Sequence, residues 1–247
     1  MHNKKIYLVC NLKANKVKEE YVVYERNLSQ IPFNSNIELI ICPSTSFLYL
    51  FQSNIYKLGS QDISKYENGA HTGENTAEQL HSLNVQYALI GHSERRKLFK
   101  EEEQTIINKI KKAYHGHIKP IYFIGESLEQ RKYNLTFKVL EKQLSHILDE
   151  VPDYKREKMI VVYEPIWAIG SGKLPTTEEI TISIKMIKDI LLSKYSLELP
   201  VLYGGSINES NIDELITIQE LGGYVLGESS KDINSIITIY NKVMKND

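Results

Sequence analysis

The amino-acid sequence predicts an α/β fold, a single (β/α)8 barrel of eight parallel strands surrounded by helices. Three observations predict it. Eight short β-branched or apolar runs punctuate the 247 residues, one per roughly 31 residues, the size of a βα repeat. Most of these runs are apolar without alternation, as strands covered on both faces are. The chain is also close to the ~250 residues that eight such units fill. An open doubly wound sheet would alternate in the same way, but no G-x-G-x-x-G follows the first run. No Gly/Ser/Pro-rich linker interrupts the repeat, so residues 1–247 are expected to form one domain.

The strands are expected at Ile6–Cys10, Ile37–Cys42, Lys57–Gln61, Tyr87–Gly91, Lys119–Ile124, Met159–Tyr163, Leu199–Tyr203 and Tyr224–Gly227. Each has strand length and the apolar or β-branched content of a buried strand. Between them, Leu128–Glu150 carries the clearest helical periodicity, with Leu128, Val139, Leu140, Leu144, Ile147 and Leu148 set among charged positions. Ile180–Tyr195 and Ile233–Met244 follow the same pattern. The connection Gly69–Leu83 is weaker and reads as a loop with a short helix.

Composition narrows the function. Thirty basic and 31 acidic side chains give a net charge of −1, which argues against a nucleic-acid binder or an anionic-membrane binder. An apolar content of 42% fills a sizeable core and excludes an intrinsically disordered chain. No apolar run reaches the ~18–20 residues of a membrane span. Met1–Ile6 has no apolar stretch before a small-residue cleavage site, so a cytoplasmic location is expected. Cys10 and Cys42 are too few for a disulfide framework and belong to no metal-ligand spacing. They read as buried thiols, and no metal is expected.

In a barrel of this kind the site lies where the strands end and the βα loops begin. Asn11 and Lys13 follow the first strand, Gln61 the third and His92 the fourth. Glu164 follows the sixth, within Tyr163-Glu164-Pro165. Tyr203-Gly204-Gly205-Ser206 and Gly227-Glu228-Ser229-Ser230 follow the last two. A cation, an imidazole, a carboxylate and two backbone-rich turns are thus expected at one mouth. Glycine lets successive amides approach an anion closely, and these last two loops commonly hold a phosphate in such barrels. Tight turns needing positive φ would leave the same residues.

Two further segments are informative. Pro165-Ile166-Trp167-Ala168-Ile169-Gly170-Ser171-Gly172-Lys173 sets an apolar tip, with the one tryptophan of the chain, between a restricted and a permissive end. That suits a lid moving as a unit, although an ordinary surface loop would read alike. His92 opens a helical segment in Gly91-His92-Ser93-Glu94-Arg95-Arg96, where backbone N–H groups and the positive helix end disfavour an imidazolium. A neutral imidazole can donate to a carbonyl oxygen; a hydrogen-bonded structural histidine is the alternative. Glu94, Arg95 and Arg96 read by default as a solvated ion-pair run.

Asn11-x-Lys13, the run Ala88–Arg96 and the run Tyr163–Lys173 resemble the triosephosphate isomerase family. So do Gly69-Ala70-His71-Thr72-Gly73-Glu74, Ile124-Gly125-Glu126 and Tyr203-Gly204-Gly205-Ser206-Ile207-Asn208, and the segments keep the family's order from first strand to last. The resemblance implies a TIM barrel that interconverts dihydroxyacetone phosphate and D-glyceraldehyde 3-phosphate without a cofactor, as a cytoplasmic enzyme of glycolysis and gluconeogenesis. It implies that Glu164 is the base and His92 the electrophile. Lys13 would supply charge near the phosphate and the enediolate, with Asn11 orienting it and Glu94 supporting the network. Gly170, Ser206, Gly227 and Glu228 would bind phosphate through backbone amides, and Pro165–Lys173 would be the lid. It further implies a homodimer in which the loop Lys65–Glu74 inserts beside the partner's site, with Thr72 as the contact residue. Arg95 would pair with Glu126 beneath the site.

Three positions depart from the family's usual pattern. Leu12 replaces an aromatic residue and Phe123 a cysteine, and both are expected to affect packing alone. Glu228 stands where glycine is usual. Its carboxylate would repel a phosphate dianion unless only its amide faces the site and the side chain turns to water, where Lys231 could pair with it. The sequence leaves two alternatives open: an aldose–ketose isomerase for a four-carbon sugar phosphate, and a non-catalytic barrel used as a binding protein.

Overall fold

The computed structural model describes residues 5–169 and 174–246. Strand β1 (Ile6–Asn11) is followed by helix α1 (Lys18–Leu28), β2 (Ile37–Cys42) by a 3₁₀ turn at Thr45–Leu50, and β3 (Lys57–Ser60) by α2 (Ala77–Ser82). Strand β4 (Val85–Ile90) leads to α3 (Ser93–Leu98) and α4 (Glu103–His115). After β5 (Lys119–Ile124) come α5 (Leu128–Lys132), α6 (Thr136–Leu148) and α7 (Asp153–Arg156). Strand β6 (Ile160–Tyr163) is followed by a 3₁₀ turn at Ile166–Ala168 and α8 (Thr177–Tyr195), and β7 (Val201–Tyr203) by α9 (Ile212–Ile216). Last come β8 (Gly223–Leu226), a 3₁₀ turn at Glu228–Lys231 and α10 (Ile233–Met244). Each strand pairs in parallel with the next, and β8 returns to β1, closing the barrel.

Closure explains the unbroken apolar runs. Val9, Ile40, Cys42, Leu89, Ile121, Phe123, Ile160, Val162, Leu202 and Val225 fill the barrel as one buried cluster. The residues between them, such as Leu8, Cys10, Ile41, Ile90, Val161 and Leu226, belong to a second cluster shared with the helices. Both faces of each strand are therefore dry, and each fully buried Val, Leu or Ile contributes about 1.5–3 kcal/mol. Helix α4 supplies the outer layer with Ile106, Ile107, Ile110 and Ala113, one stripe at helical spacing. A reciprocal cap between Thr176 and Glu179 starts α8, and Ser196, at φ 53°, ends it.

The segment Leu128–Glu150 is a correction. It is two helices, broken at Tyr133-Asn134-Leu135, where Asn134 adopts φ 55°. Asparagine enters the left-handed region more readily than most residues. The buried stripe Leu140, Leu144, Ile147 and Leu148 belongs wholly to α6, whereas α5 buries nothing. The connection Gly69–Leu83 is a loop ending in α2, and Cys10 and Cys42 are buried free thiols. Among the described residues no helix is long and apolar enough to cross a membrane.

Candidate active site

The two-residue period of the strands carries the site residues to the mouth. Asn11 and Lys13 continue the inward parity of Val9, Glu164 that of Ile160 and Val162, Gly204 that of Leu202, and Gly227 that of Val225. Asn11, Lys13, His92, Glu94, Glu164, Ser206, Gly227 and Glu228 line one cavity of about 1000 Å³.

Lys13 holds a left-handed backbone, φ 49°, which costs a non-glycine residue about 1–3 kcal/mol and persists only when its surroundings over-determine it. They do. Its amide donates to Asn11 Oδ1 at 3.1 Å, and its carbonyl accepts from Ser44 Oγ at 2.9 Å and Gln61 Nε2 at 2.8 Å. The ammonium meets Glu94 Oε1 at 2.5 Å. A Cβ on Gly227 would lie 3.9 Å from Lys13 Nζ, so the charge of the first strand faces the last turn. Burial raises the Glu94 carboxyl, but the hydrogen bond and charge of Lys13 oppose it, and the group lies below its ordinary value.

His92 caps α3, and its Nδ1 accepts the Glu94 amide at 3.2 Å. That nitrogen therefore carries no proton, which leaves Nε2 as the donor of a neutral ring. Nε2 lies 3.2 Å from Glu164 Oε1, while Glu164 Oε2 accepts the Ser93 amide at 2.9 Å. Both side chains are buried. A Cβ on Gly125 would collide with the Glu164 carbonyl oxygen, so glycine there sets how closely β5 can approach the end of β6. Phe123 packs edge-on to the His92 ring at 5.0 Å. The Ser93 amide is a site group the sequence did not flag, because a backbone N–H leaves no side-chain signal.

The turns after β7 and β8 form an amide cradle. Among the described residues nothing accepts from the amides of Ser206, Glu228 or Ser229. Ser230 Oγ donates to the carbonyls of Asn11 and Gly227, and Ser229 Oγ to that of Ile207, which ties the two turns to each other and to β1. The Glu228 side chain is 82% exposed and pairs with Lys231 at 2.6 Å. Leu12 is fully buried.

The segment that starts at Pro165 rests on a buried carboxylate. Trp167 Nε1 donates to Glu126 Oε1 at 2.9 Å, and Tyr163 and Arg131 reach the same oxygen at 3.1 Å. The expected Arg95–Glu126 pair does not form. Arg95 turns instead to Glu101 at 2.6 Å and Asp62 at 2.9 Å, and Arg131, on the helix that Ser127 caps, takes Glu126. Nor are Glu94, Arg95 and Arg96 a mutual ion-pair run; Arg96 pairs with Glu103 at 2.6 Å. Pro165, Ile166, Trp167, Ala168 and Ile169 are described, whereas Gly170, Ser171, Gly172 and Lys173 lie outside the described residues. Thr72 is exposed on the loop after β3, away from the cavity of its own chain. Among the described residues no group of three His, Cys, Asp or Glu side chains is arranged to hold a metal ion.

A closed parallel barrel with a carboxylate, an imidazole and a lysine converging at its strand ends belongs to the class of (β/α)8-barrel enzymes with an acid–base site. The family model for triosephosphate isomerase matches residues 6–243, and the chain belongs to the triosephosphate isomerase family. The triosephosphate isomerase of Alkaliphilus oremlandii is 35% identical over 246 residues, 96% of this chain and 99% of the relative. That of Clostridium botulinum (strain Loch Maree / Type A3) is 35% identical over 239 residues, 94% and 96% of the two chains. That of Mycoplasmopsis agalactiae is 37% identical over 246 residues, 96% and 93%.

Proposed function

We propose that the chain interconverts D-glyceraldehyde 3-phosphate and dihydroxyacetone phosphate by proton transfer through an enediolate. The observation that carries this reading is the Glu164–His92 pair, which lines one cavity with Lys13 and the amide-rich turns after β7 and β8. Glu164 takes a proton from the carbon beside the carbonyl and returns it to the neighbouring carbon. His92 gives its Nε2 proton to the developing oxyanion and recovers one from the adjacent hydroxyl, so protons balance with no net redox change. A carboxylate with an ordinary value near ~4.3 is a weak base toward carbon, so it needs oxyanion stabilisation from His92 and Lys13. Water exclusion by a lid over Pro165–Lys173 adds to it. Phosphate held by the amides of Gly170, Ser206, Gly227 and Glu228 would contribute binding energy from a part of the substrate that does not react. Asn11 sets the Lys13 backbone and Glu94 its ammonium.

Glu228 gave a four-carbon sugar phosphate its only weight, and its carboxylate turns to solvent. A retained Lys13, His92 and Glu164 in one cavity speaks against a non-catalytic barrel. We read residues 1–247 as one domain, acting in the cytoplasm in glycolysis and gluconeogenesis. A homodimer is supported by exposed apolar side chains in the loops of four adjacent barrel units: Val17, Tyr49, Tyr66, Leu98 and Phe99. They share the rim with Thr72, and a second copy would cover them.

A coupled assay with D-glyceraldehyde 3-phosphate, run beside a four-carbon aldose phosphate, tests the activity. Fast turnover of the triose alone supports it, and a folded sample without triose turnover overturns it. Sedimentation equilibrium tests the dimer, which a monomer at micromolar concentration would refute.

A further inference from the structure

Each ammonium group on the cavity wall, among the described residues, is held by a carboxylate of its own. Lys13 meets Glu94 at 2.5 Å, and on the neighbouring turn after β8 Lys231 meets Glu228 at 2.6 Å. The second pair stands on a pinned turn. Ser230 Oγ donates to the carbonyls of Asn11 and Gly227, and the Tyr24 hydroxyl donates to the Ser230 carbonyl at 2.8 Å. In a 3₁₀ turn residues i and i+3 eclipse and lie about 6 Å apart along the axis. Lys231 therefore stands one turn beyond Glu228, and both line the cavity. Its side chain is 35% exposed along the cavity wall, whereas the Glu228 side chain is 82% exposed.

The charge around this end of the cavity makes Lys231 necessary. Glu209, Glu228 and Asp232 all line it, and Lys231 is the one ammonium among them. Glu209 accepts from Ser235 Oγ at 2.5 Å, and Asp232 accepts the Asn234 amide at the start of α10 at 3.0 Å. Neither carboxylate is paired with a lysine or arginine side chain among the described residues, although Lys242 donates to the Glu209 carbonyl at 2.8 Å. An arriving phosphate would meet three carboxylates, with Lys231 and, beside Gly227, Lys13 to offset them.

We propose that Lys231 is a second cationic ligand of the substrate's phosphate and that Glu228 is its positioning residue. The ammonium rests on Glu228 and passes to the phosphate when it binds. An exposed ion pair is weak, and a dianion at equal distance attracts an ammonium about twice as strongly as a carboxylate does. The exchange is therefore favourable, and Glu228 is left in water. A carboxylate at a position where the resemblance leads one to expect glycine thus comes with its own counter-ion. This inference rests on the triose phosphate reading above.

The test is calorimetry of inorganic phosphate binding to the full chain, with KM and kcat for D-glyceraldehyde 3-phosphate alongside. It compares the wild type, Lys231→Met, Glu228→Gln and the double variant. Lys231→Met should weaken phosphate about tenfold and raise KM to match, because a charged hydrogen bond to the anion is lost. It should leave kcat within about twofold, because the reacting carbons are out of reach. Glu228→Gln should tighten phosphate about threefold by releasing the ammonium. In the Glu228→Gln background, Lys231→Met should still weaken phosphate several-fold. The proposal is overturned if phosphate affinity ignores Lys231, or if the loss disappears once Glu228 is neutral, since Lys231 would then be only a counter-ion. A wild type that turns over triose phosphate with Lys231 silent sinks this inference alone. A wild type that binds phosphate as described but turns over no triose sinks the isomerase reading instead.

Discussion

The carboxylate of Glu164 and the imidazole of His92 hold each other. Oε1 lies 3.2 Å from Nε2, and Oε2 accepts the Ser93 amide at 2.9 Å. Under the proposed mechanism, a substrate oxygen that took the His92 donor would remove one of the two contacts restraining Glu164. The carboxylate would then be released toward carbon by the same event that brought the carbonyl to His92.

Replacing Glu164 by Gln keeps the side-chain shape and an acceptor for the Ser93 amide, but removes the proton acceptor. We expect kcat to fall by about 10³-fold or more, with the unfolding midpoint within about 3 °C of wild type. Steady-state kinetics and a thermal melt check both. A variant retaining a tenth of kcat would show that Glu164 is not the base.

The Glu94 amide, 3.2 Å from Nδ1 of His92, fixes the tautomer, and nitrogen-15 NMR at neutral pH should find the proton on Nε2. His92→Gln should lower kcat by about 10²–10³-fold, the usual loss for one oxyanion donor. A proton on Nδ1 would leave His92 unable to donate into the cavity and would refute its role.

Much of this was legible from residue pattern. The strands at Ile37–Cys42 and Lys119–Ile124 fall where the apolar runs put them, because both faces of each strand are dry. Lys13 and Glu164 were legible because strand parity points them into the mouth, and His92 because it opens the helical segment that follows β4. Arg95 was not. It pairs with Asp62 and Glu101, and Arg131, one turn into α5 from the Ser127 cap, takes Glu126 instead. Nor was the break at Asn134, since a helical period cannot register a one-turn break at a residue that helices also tolerate.

Trp167 is the one tryptophan of the chain. Its N–H donates to the buried Glu126, and the Arg131 guanidinium lies 4.7 Å from its ring centre. A lid that closes must shift the 3₁₀ turn that anchors this indole and alter both contacts. Saturation with a non-reacting triose phosphate analogue should therefore change Trp167 emission. Unchanged emission at saturation would mean that the root of the lid stays where it is.

Lys109 is nearly fully buried and donates to Asp62 at 2.6 Å and to Glu101 at 2.5 Å, with Arg95 bonded to the same two carboxylates. Burial pushes the Asp62 carboxyl up, and Lys109 and Arg95 only partly reverse it. Burial also raises Glu101, but the hydrogen bonds and charges of Lys109 and Arg95 outweigh it and leave the group below its ordinary value. A depressed carboxyl contributes stability that is present above the unfolded value and lost as pH falls through the folded one. Lys109→Met leaves two carboxylates with one shared Arg95, at an expected cost of about 3–5 kcal/mol at pH 7. In that variant both folded values rise, so the folded state takes up protons more readily than the unfolded chain as the solution is acidified. The wild type meanwhile loses the Glu101 contribution. The gap between their urea midpoints should therefore narrow from about pH 6 to about pH 4, the carboxylate range. A gap that holds constant across that window would assign the loss to packing of the lysine stem, and the charge argument would fall.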